Sequence, residues 1–229
     1  MEKKYCYEYP RPALTTDCVI FGFDGHQLKV LLIKRGIAPF KDHWAFPGGF
    51  LRMDETLEEG ALRELNEETG LKAARIEQLK AFSAVDRDER GRVITVAFYA
   101  LVKTTEVVGG DDAAEAKWWS LSEIPMLAFD HSQILREAEK RLREVIHFQP
   151  VGFDLLPEVF TMPELQTLYE AILDVKFDRR NFARKMLTLE LLDMADPQQE
   201  RNGTRTPVRY RFNEQKYTEM KQRGFRLEF

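Results

Sequence analysis

Residues 49–71 read GFLRMDETLEEGALRELNEETGL and hold seven Asp and Glu. Leu57, Ala61, Leu62 and Leu65 recur at helical spacing, which predicts a helix from Thr56 to Glu68. Glu64 stands three and four residues before Glu67 and Glu68, so the three carboxylates share about a third of the helix circumference. Like charges at this spacing destabilise a helix by a few tenths of a kcal/mol per pair, roughly 0.2–0.5. They also lie near the helix C-terminus, where the macrodipole disfavours anions. The apolar stripe beside them sets the acidic face at the edge of a core. Half-buried carboxylates become tolerable once divalent cations neutralise them. Oxygen-only donors suit Mg²⁺ or Mn²⁺. The same pattern also suits a solvated acidic helix, so spacing alone leaves both readings open.

The flanks add detail. Gly48-Gly49 forms a bend that lets the backbone approach a metal or phosphate closely, and Gly70 sits where a left-handed cap would end the helix. Arg63 is placed to hold Glu55 or another carboxylate through a bidentate pair. Upstream, residues 13–22 and 28–35 read as strands around the turn signal Asp24-Gly25, and 44–50 as a short strand entering the Gly-Gly bend. Downstream, 76–84 and 93–103 read as strands on either side of a polar turn at 86–91. A strand at 117–121 follows the acidic loop 109–115. Ile134, Leu135, Ala138, Leu142 and Val145 mark a helix over 130–146. Residues 1–150 therefore predict an α/β fold, an α/β/α sandwich on a mixed sheet. Trp44, Phe46 and Phe50 either stack on a base or belong to the core.

The pattern changes after Gln149-Pro150. Thr161-Met162-Pro163-Glu164 is a capping-box start, followed by the stripe Leu165, Leu168, Tyr169 and Ile172. A second helix is expected from Asp178 through Leu192, with Phe182, Met186, Leu187 and Leu189 facing the core. The turn signal Asn202-Gly203 and the alternating VRYRF complete a winged-helix outline over 151–229. Residues 176–226 hold 13 Lys+Arg against 7 Asp+Glu, a net of +6, so the rest of a chain of net charge −4 carries −10. Arg179, Arg180 and Asn181 occupy the first turn of the second helix, and Arg184 and Lys185 follow. Cations there oppose the dipole unless a phosphate faces them, and such side chains read base edges in double-stranded DNA. Arg201, Arg205, Arg209 and Arg211 add charge suited to the DNA backbone. The alternative is a dimerisation or lid module with solvated basic residues.

Composition is that of a globular protein, 44% hydrophobic and 31% charged. No apolar run approaches the ~18 residues of a membrane span, so a soluble, cytoplasmic chain is expected. Cys6 and Cys18 are expected to be free thiols, and they offer the four histidines no zinc-ligand spacing.

Gly49, Glu55, Arg63-Glu64-Leu65, Glu67-Glu68 and Gly70-Leu71 match every defined position of the Nudix signature, and the segment is identified as a Nudix box. The resemblance implies hydrolysis of a nucleoside diphosphate linked to another group. It implies metal ligation by Glu64, Glu67, Glu68 and the Gly48 carbonyl, with Arg63 in the catalytic set. The general base it implies is a helix glutamate or a later loop acid. Asp111, Asp112 and Glu115 are the loop candidates, with Glu115 preferred. Arg35, Phe46, Gly49 and Arg87 are the candidate substrate contacts. Asp86-Arg87-Asp88 resembles a segment of ADP-ribose-handling relatives, where Arg87 pairs either with a phosphate or with a neighbouring carboxylate. The stretch FDLLPEVFTMPELQTLYEAILDVKFDRRNFARKML resembles the winged helix of NrtR-type transcriptional regulators. In that group a Nudix domain senses ADP-ribose, a related nucleotide or, in some branches, a sugar, and a homodimer binds operator DNA. The expectation is a regulator that binds, and with an intact box hydrolyses, an ADP-ribose-like ligand. The alternatives are a pyrophosphohydrolase whose tail only dimerises and a non-catalytic sugar sensor.

Overall fold

A computed structural model of the chain describes residues 7–73, 75–110, 113–147, 152–195 and 207–222. The first part runs β1 (Ala13–Phe23), β2 (Leu28–Arg35), β3 (Trp44–Ala45), β4 (Gly48–Phe50), α1 (Leu57–Thr69), β5 (Glu77–Phe82), β6 (Val93–Lys103), β7 (Ala113–Ser120) and α2 (His131–Ile146). The second runs β8 (Phe160–Thr161), α3 (Met162–Leu173), α4 (Arg179–Thr188), β9 (Leu192–Met194), β10 (Arg209–Phe212) and α5 (Glu214–Gln222).

β1 is the spine of the sheet. It pairs parallel with β6 from Ala13↔Val93 to Phe23↔Lys103 and antiparallel with β2 and β4. β3 and β7 join β2, and β5 closes the far edge on β6. The sheet is therefore mixed. Successive side chains of β1 point to opposite faces. Cys18 and Ile20 pack with Ala61 and Leu65 of α1, while Val19, Phe21 and Phe23 pack with Ile134, Leu135 and Leu142 of α2. That alternation makes the expected sandwich.

α1 begins and ends on local chemistry. Thr56 Oγ1 accepts from the Glu59 amide at 3.2 Å, and the Glu59 carboxylate accepts from the Thr56 amide at 2.8 Å. Gly70 takes φ 69° and donates its N–H to the Asn66 carbonyl.

The C-terminal unit has a winged-helix form, with α3 and α4 beside the antiparallel sheet β8-β10-β9. It packs on the α2 side of the large sheet. Leu165, Leu168, Tyr169 and Ile172 of α3 enter the same apolar cluster as Phe21 and Ile134. Arg143 Nε of α2 donates to the Ile172 carbonyl at 3.3 Å. Each such fully buried side chain contributes about 1.5–3 kcal/mol.

Several expectations change. α4 stops at Thr188, not Leu192, because Glu190 turns left-handed at φ 55° and Leu192 pairs with Phe212 in the small sheet. Leu187 is exposed, not core. β7 starts at Ala113, so the tail of the supposed acidic loop is strand. β8 and α5 were not foreseen. Cys6, Arg201, Arg205, the Asn202-Gly203 turn and the expected boundary at 150 lie outside the described residues. Among the described residues no helix is long and apolar enough to cross a membrane.

Candidate active site and nucleic-acid interface

α1, the β4 bend, the turn at 86–91 and the start of α2 enclose a cleft of about 300 Å³. Gly48 and Gly49 are there for space, not for φ. A Cβ on Gly49 would lie 2.5 Å from Glu64 Oε1, and one on Gly48 would meet first the Thr16 carbonyl oxygen of β1 and then Asp17 Oδ1 at 2.7 Å. The backbone thus comes hard against the Glu64 carboxylate at Gly49 and against β1 at Gly48.

Arg63 organises the acidic wall. Its Nε and Nη2 donate to the two oxygens of Glu55 at 2.8 and 2.6 Å, and its Nη1 donates to Glu64 at 2.7 Å and Glu67 at 2.9 Å. The Arg63 hydrogen bonds hold the Glu55 carboxyl down at about 2. The Glu64 carboxyl is pushed up by burial, against the pull of Arg63. Glu68 is buried and accepts from the Gly48 amide at 2.8 Å. Burial pushes its carboxyl up to about 8; Glu64 and Asp17 add to the rise and the Gly48 hydrogen bond opposes it. Among the described residues no three such donors are gathered around one point. The reason is visible: Glu64 and Glu67 are held on Arg63, so an ion has to compete with the guanidinium for them. The donor chemistry still fits a divalent cation, because burial disfavours the ionised forms of Glu64 and Glu68 and a bound cation would offset that cost.

The opposite wall holds residues that sequence reading missed. Asp17 is buried; Thr95 Oγ1 donates to its Oδ2 at 2.6 Å, and Arg87 Nη2 stands 3.7 Å from the same oxygen. His131, the first residue of α2, accepts at Nδ1 from the Phe46 amide at 2.9 Å. That bond assigns its proton to Nε2, which faces Asp17 Oδ1 at 3.6 Å. Burial pushes the imidazole down and keeps it neutral. The available clues were slight: a lone Asp in an apolar strand and a His at a helix start.

The candidate substrate contacts separate. Arg35 and Gly49 line the cleft. Arg87 also lines it, but its guanidinium is committed to Asp130 through two bonds of 3.0 and 2.7 Å, which is the ion-pair reading. Phe46 also lines the cleft, although it is 1% exposed, stacks on His131 at 5.2 Å and belongs to the apolar core. Phe50 is 46% exposed at the rim. Glu115 is not brought to the cleft: it is exposed on β7 opposite Lys34. Asp111 and Asp112 lie outside the described residues.

The second candidate surface is α4. Asp178 Oδ1 caps it by accepting from the Asn181 amide at 2.9 Å. Phe182 and Met186 are buried against α3, which leaves Arg179, Arg180, Asn181 and Arg184 exposed and Lys185 half-buried. Arg184 Nη2 donates to the Asn181 side chain at 3.0 Å, while Arg179 and Arg180 have no hydrogen bond or ion pair among the described residues. Arg209 and Arg211 are exposed on β10. The result is a cationic face on α4 and, on β10, two exposed arginines, of which Arg211 Nε pairs with Glu158 Oε1 at 3.2 Å.

The NUDIX domain family model matches residues 11–138, and that of the NrtR DNA-binding winged helix domain matches 152–212. The chain is 35% identical over 215 residues to the ADPR-responsive transcriptional repressor NtrR of Acinetobacter baylyi, covering 92% of this chain and 86% of that one. It is 44% identical over 135 residues to the ADP-ribose pyrophosphatase of Methanocaldococcus jannaschii, covering 59% of this chain and 77% of that one. The structure of Shewanella oneidensis NrtR complexed with a 27mer DNA is similar with a TM-score of 0.74 at 33% identity, over 90% of this chain and 95% of that one. The NUDIX domain of the same protein complexed with ADP ribose gives 0.55 at 38% identity, over 58% and 90%.

Proposed function

The chain belongs to the Nudix superfamily and, through its second unit, to the NrtR-type regulators, and from that premise we propose that it is an ADP-ribose-responsive transcriptional repressor. One observation carries the reading: an intact Nudix cleft and an exposed cationic helix are built on a single apolar core. The division falls near residue 150, with the Nudix domain before it and the winged helix after it. The ligand is an ADP-ribose-like nucleoside diphosphate derivative. The other partner is double-stranded operator DNA, met in the cytoplasm by a homodimer whose symmetry suits a palindromic site. α4 enters the major groove, with Arg179, Arg180, Asn181, Arg184 and Lys185 facing bases and phosphates. A gel shift on the gene's own upstream DNA tests this. Binding should weaken steeply with salt and be relieved by ADP-ribose; no shift at low salt overturns the regulator reading.

The intact box supports hydrolysis as a second capacity, as in the pyrophosphatase relative. Glu64, Glu67, Glu68 and the Gly48 carbonyl would hold Mg²⁺ or Mn²⁺. Such an ion, when bound, spreads the charge of the diphosphate and lowers the pKa of an attacking water. Arg63 contributes by orienting Glu55, Glu64 and Glu67, and the close approach of Gly49 to Glu64 shapes the floor. Glu115, the preferred loop base, is exposed on β7 and is not among the described residues that line the cleft. Glu68→Gln should abolish any Mg²⁺-dependent turnover of ADP-ribose.

A further inference from the structure

The turn between α3 and α4 is tied down by two side chains of α3. Gln166 and Glu170 stand four residues apart, on one face of that helix. Glu170 Oε1 accepts from the Phe177 amide at 3.0 Å, and Gln166 Nε2 donates to the Phe177 carbonyl at 3.0 Å. Both backbone groups of Phe177 are thus held by one helix face. Gln166 Nε2 also donates to Glu170 Oε1 at 2.8 Å, and Lys176 Nζ donates to Glu170 Oε2 at 2.8 Å. Both partners of the Gln166 nitrogen can only accept, so the orientation of its amide is fixed. The Glu170 side chain is 11% exposed. The Lys176 bond first, then those from Gln166 and Phe177, hold its carboxyl down at about 2, so it is ionised at neutral pH. The chain needs such a tie here. Asp174 ends α3 at φ 54°, and residues 175–178 form no regular structure. One residue past Phe177, Asp178 caps α4, and Arg179, Arg180 and Asn181 follow in its first turn. The Phe177 ring packs on Phe182 at 5.5 Å, and Phe182 packs on Tyr169 at 5.7 Å. Those apolar contacts hold α4 near α3 but are not directional. The two hydrogen bonds to the Phe177 backbone are directional.

We infer that Glu170, supported by Gln166, is a positioning residue for base reading: it sets the angle at which the first turn of α4 meets DNA. The inference rests on the DNA-binding reading above. A group that reads a base edge has to be held within about 0.5 Å of its place. Attraction to the phosphates asks for less, since it is sequence-independent and carried by long cationic side chains. Loss of the tie therefore costs selectivity and spares general affinity. Glu170 is also an anion two to three turns from the exposed Arg179 and Arg180 along the chain, so its removal leaves binding to unrelated DNA unchanged or tighter.

The test is fluorescence anisotropy of the full chain on two duplexes, one from the gene's own upstream DNA and one shuffled to the same composition. Glu170→Ala should weaken binding to the upstream duplex at least tenfold. It should bind the shuffled duplex at least as tightly as the wild type does, with the same salt slope. Glu170→Gln keeps an acceptor for the Phe177 amide and should recover most of the upstream affinity. A folded Glu170→Ala whose ratio between the two duplexes equals that of the wild type overturns the inference. So does an equal loss on both duplexes, which marks a merely structural role, and so does a Glu170→Gln no better than Glu170→Ala, which marks an effect of charge. If a melting curve shows Glu170→Ala misfolded, Gln166→Ala decides: it removes the partner of the Phe177 carbonyl and should lower the ratio in smaller measure, and an unchanged ratio overturns the inference. A wild type that binds both duplexes alike overturns the inference and leaves DNA binding standing. A wild type that binds neither at low salt overturns the regulator reading itself.

Discussion

Glu68 shows how one side chain ties stability to function. Its carboxyl is pushed up to about 8 from an ordinary 4.5, chiefly by burial. A group whose folded pKa lies above its unfolded one favours folding fully at low pH and loses that contribution as pH rises through the folded value. The metal-free protein should therefore lose stability between about pH 4.5 and 8. The melting temperature should fall by several degrees, at roughly 2–4 °C per kcal/mol for a chain of this size. Glu68→Gln should flatten that slope, and an unchanged slope would contradict the assignment. Metal affinity should run the other way, rising with pH as the carboxyl loses its proton. Sequence reading had reached part of this site. The pairing of Arg63 with Glu55 follows from their positions around one helix start. Asp17 and His131 did not follow, because 114 positions separate them in the chain and only the fold makes them neighbours.

At the scale of elements, α1 was legible because its signals are local. The Thr56 capping box, the apolar stripe and Gly70 all act within a few residues of one another. Thr56→Ala should cost about 1 kcal/mol, measured by chemical denaturation, since it removes the hydroxyl that accepts from the Glu59 amide. α4 was legible at its start, where Asp178 caps it, but not at its end. The run Leu189 to Leu192 continues a helical apolar pattern, yet Leu191 is buried and Leu192 is held by strand pairing with Phe212. That partner is distant in sequence, and no helical period reports it. Arg179→Ala and Arg180→Ala should each weaken DNA binding across unrelated sequences and lower the salt slope by about 1 if they meet phosphates. A loss confined to certain base pairs would instead make them base readers.

Over the whole molecule the two units are not beads on a string. Leu168 of the winged helix is fully buried in the same cluster as Val19 and Phe21 of the large sheet. Leu168→Ala should cost about 2–5 kcal/mol by cavity formation. Both units should also melt in one cooperative transition, followed by circular dichroism and intrinsic fluorescence together; two separated transitions would show that the seam carries little energy. The amino-acid sequence by itself determined the kind of each unit. Box spacing, caps, strand alternation and the basic helix start are set by residues near one another in the chain, where helical and strand periods are decisive. Only the tertiary structure decided which charged groups share the cleft and which serve as supports. It placed Glu115 on β7, committed Arg87 to Asp130, brought Asp17 and His131 together, and, among the described residues, left Arg35 with no carboxylate within ion-pair distance. Those outcomes depend on distances across the sheet and on burial, and neither is written in the local order of residues.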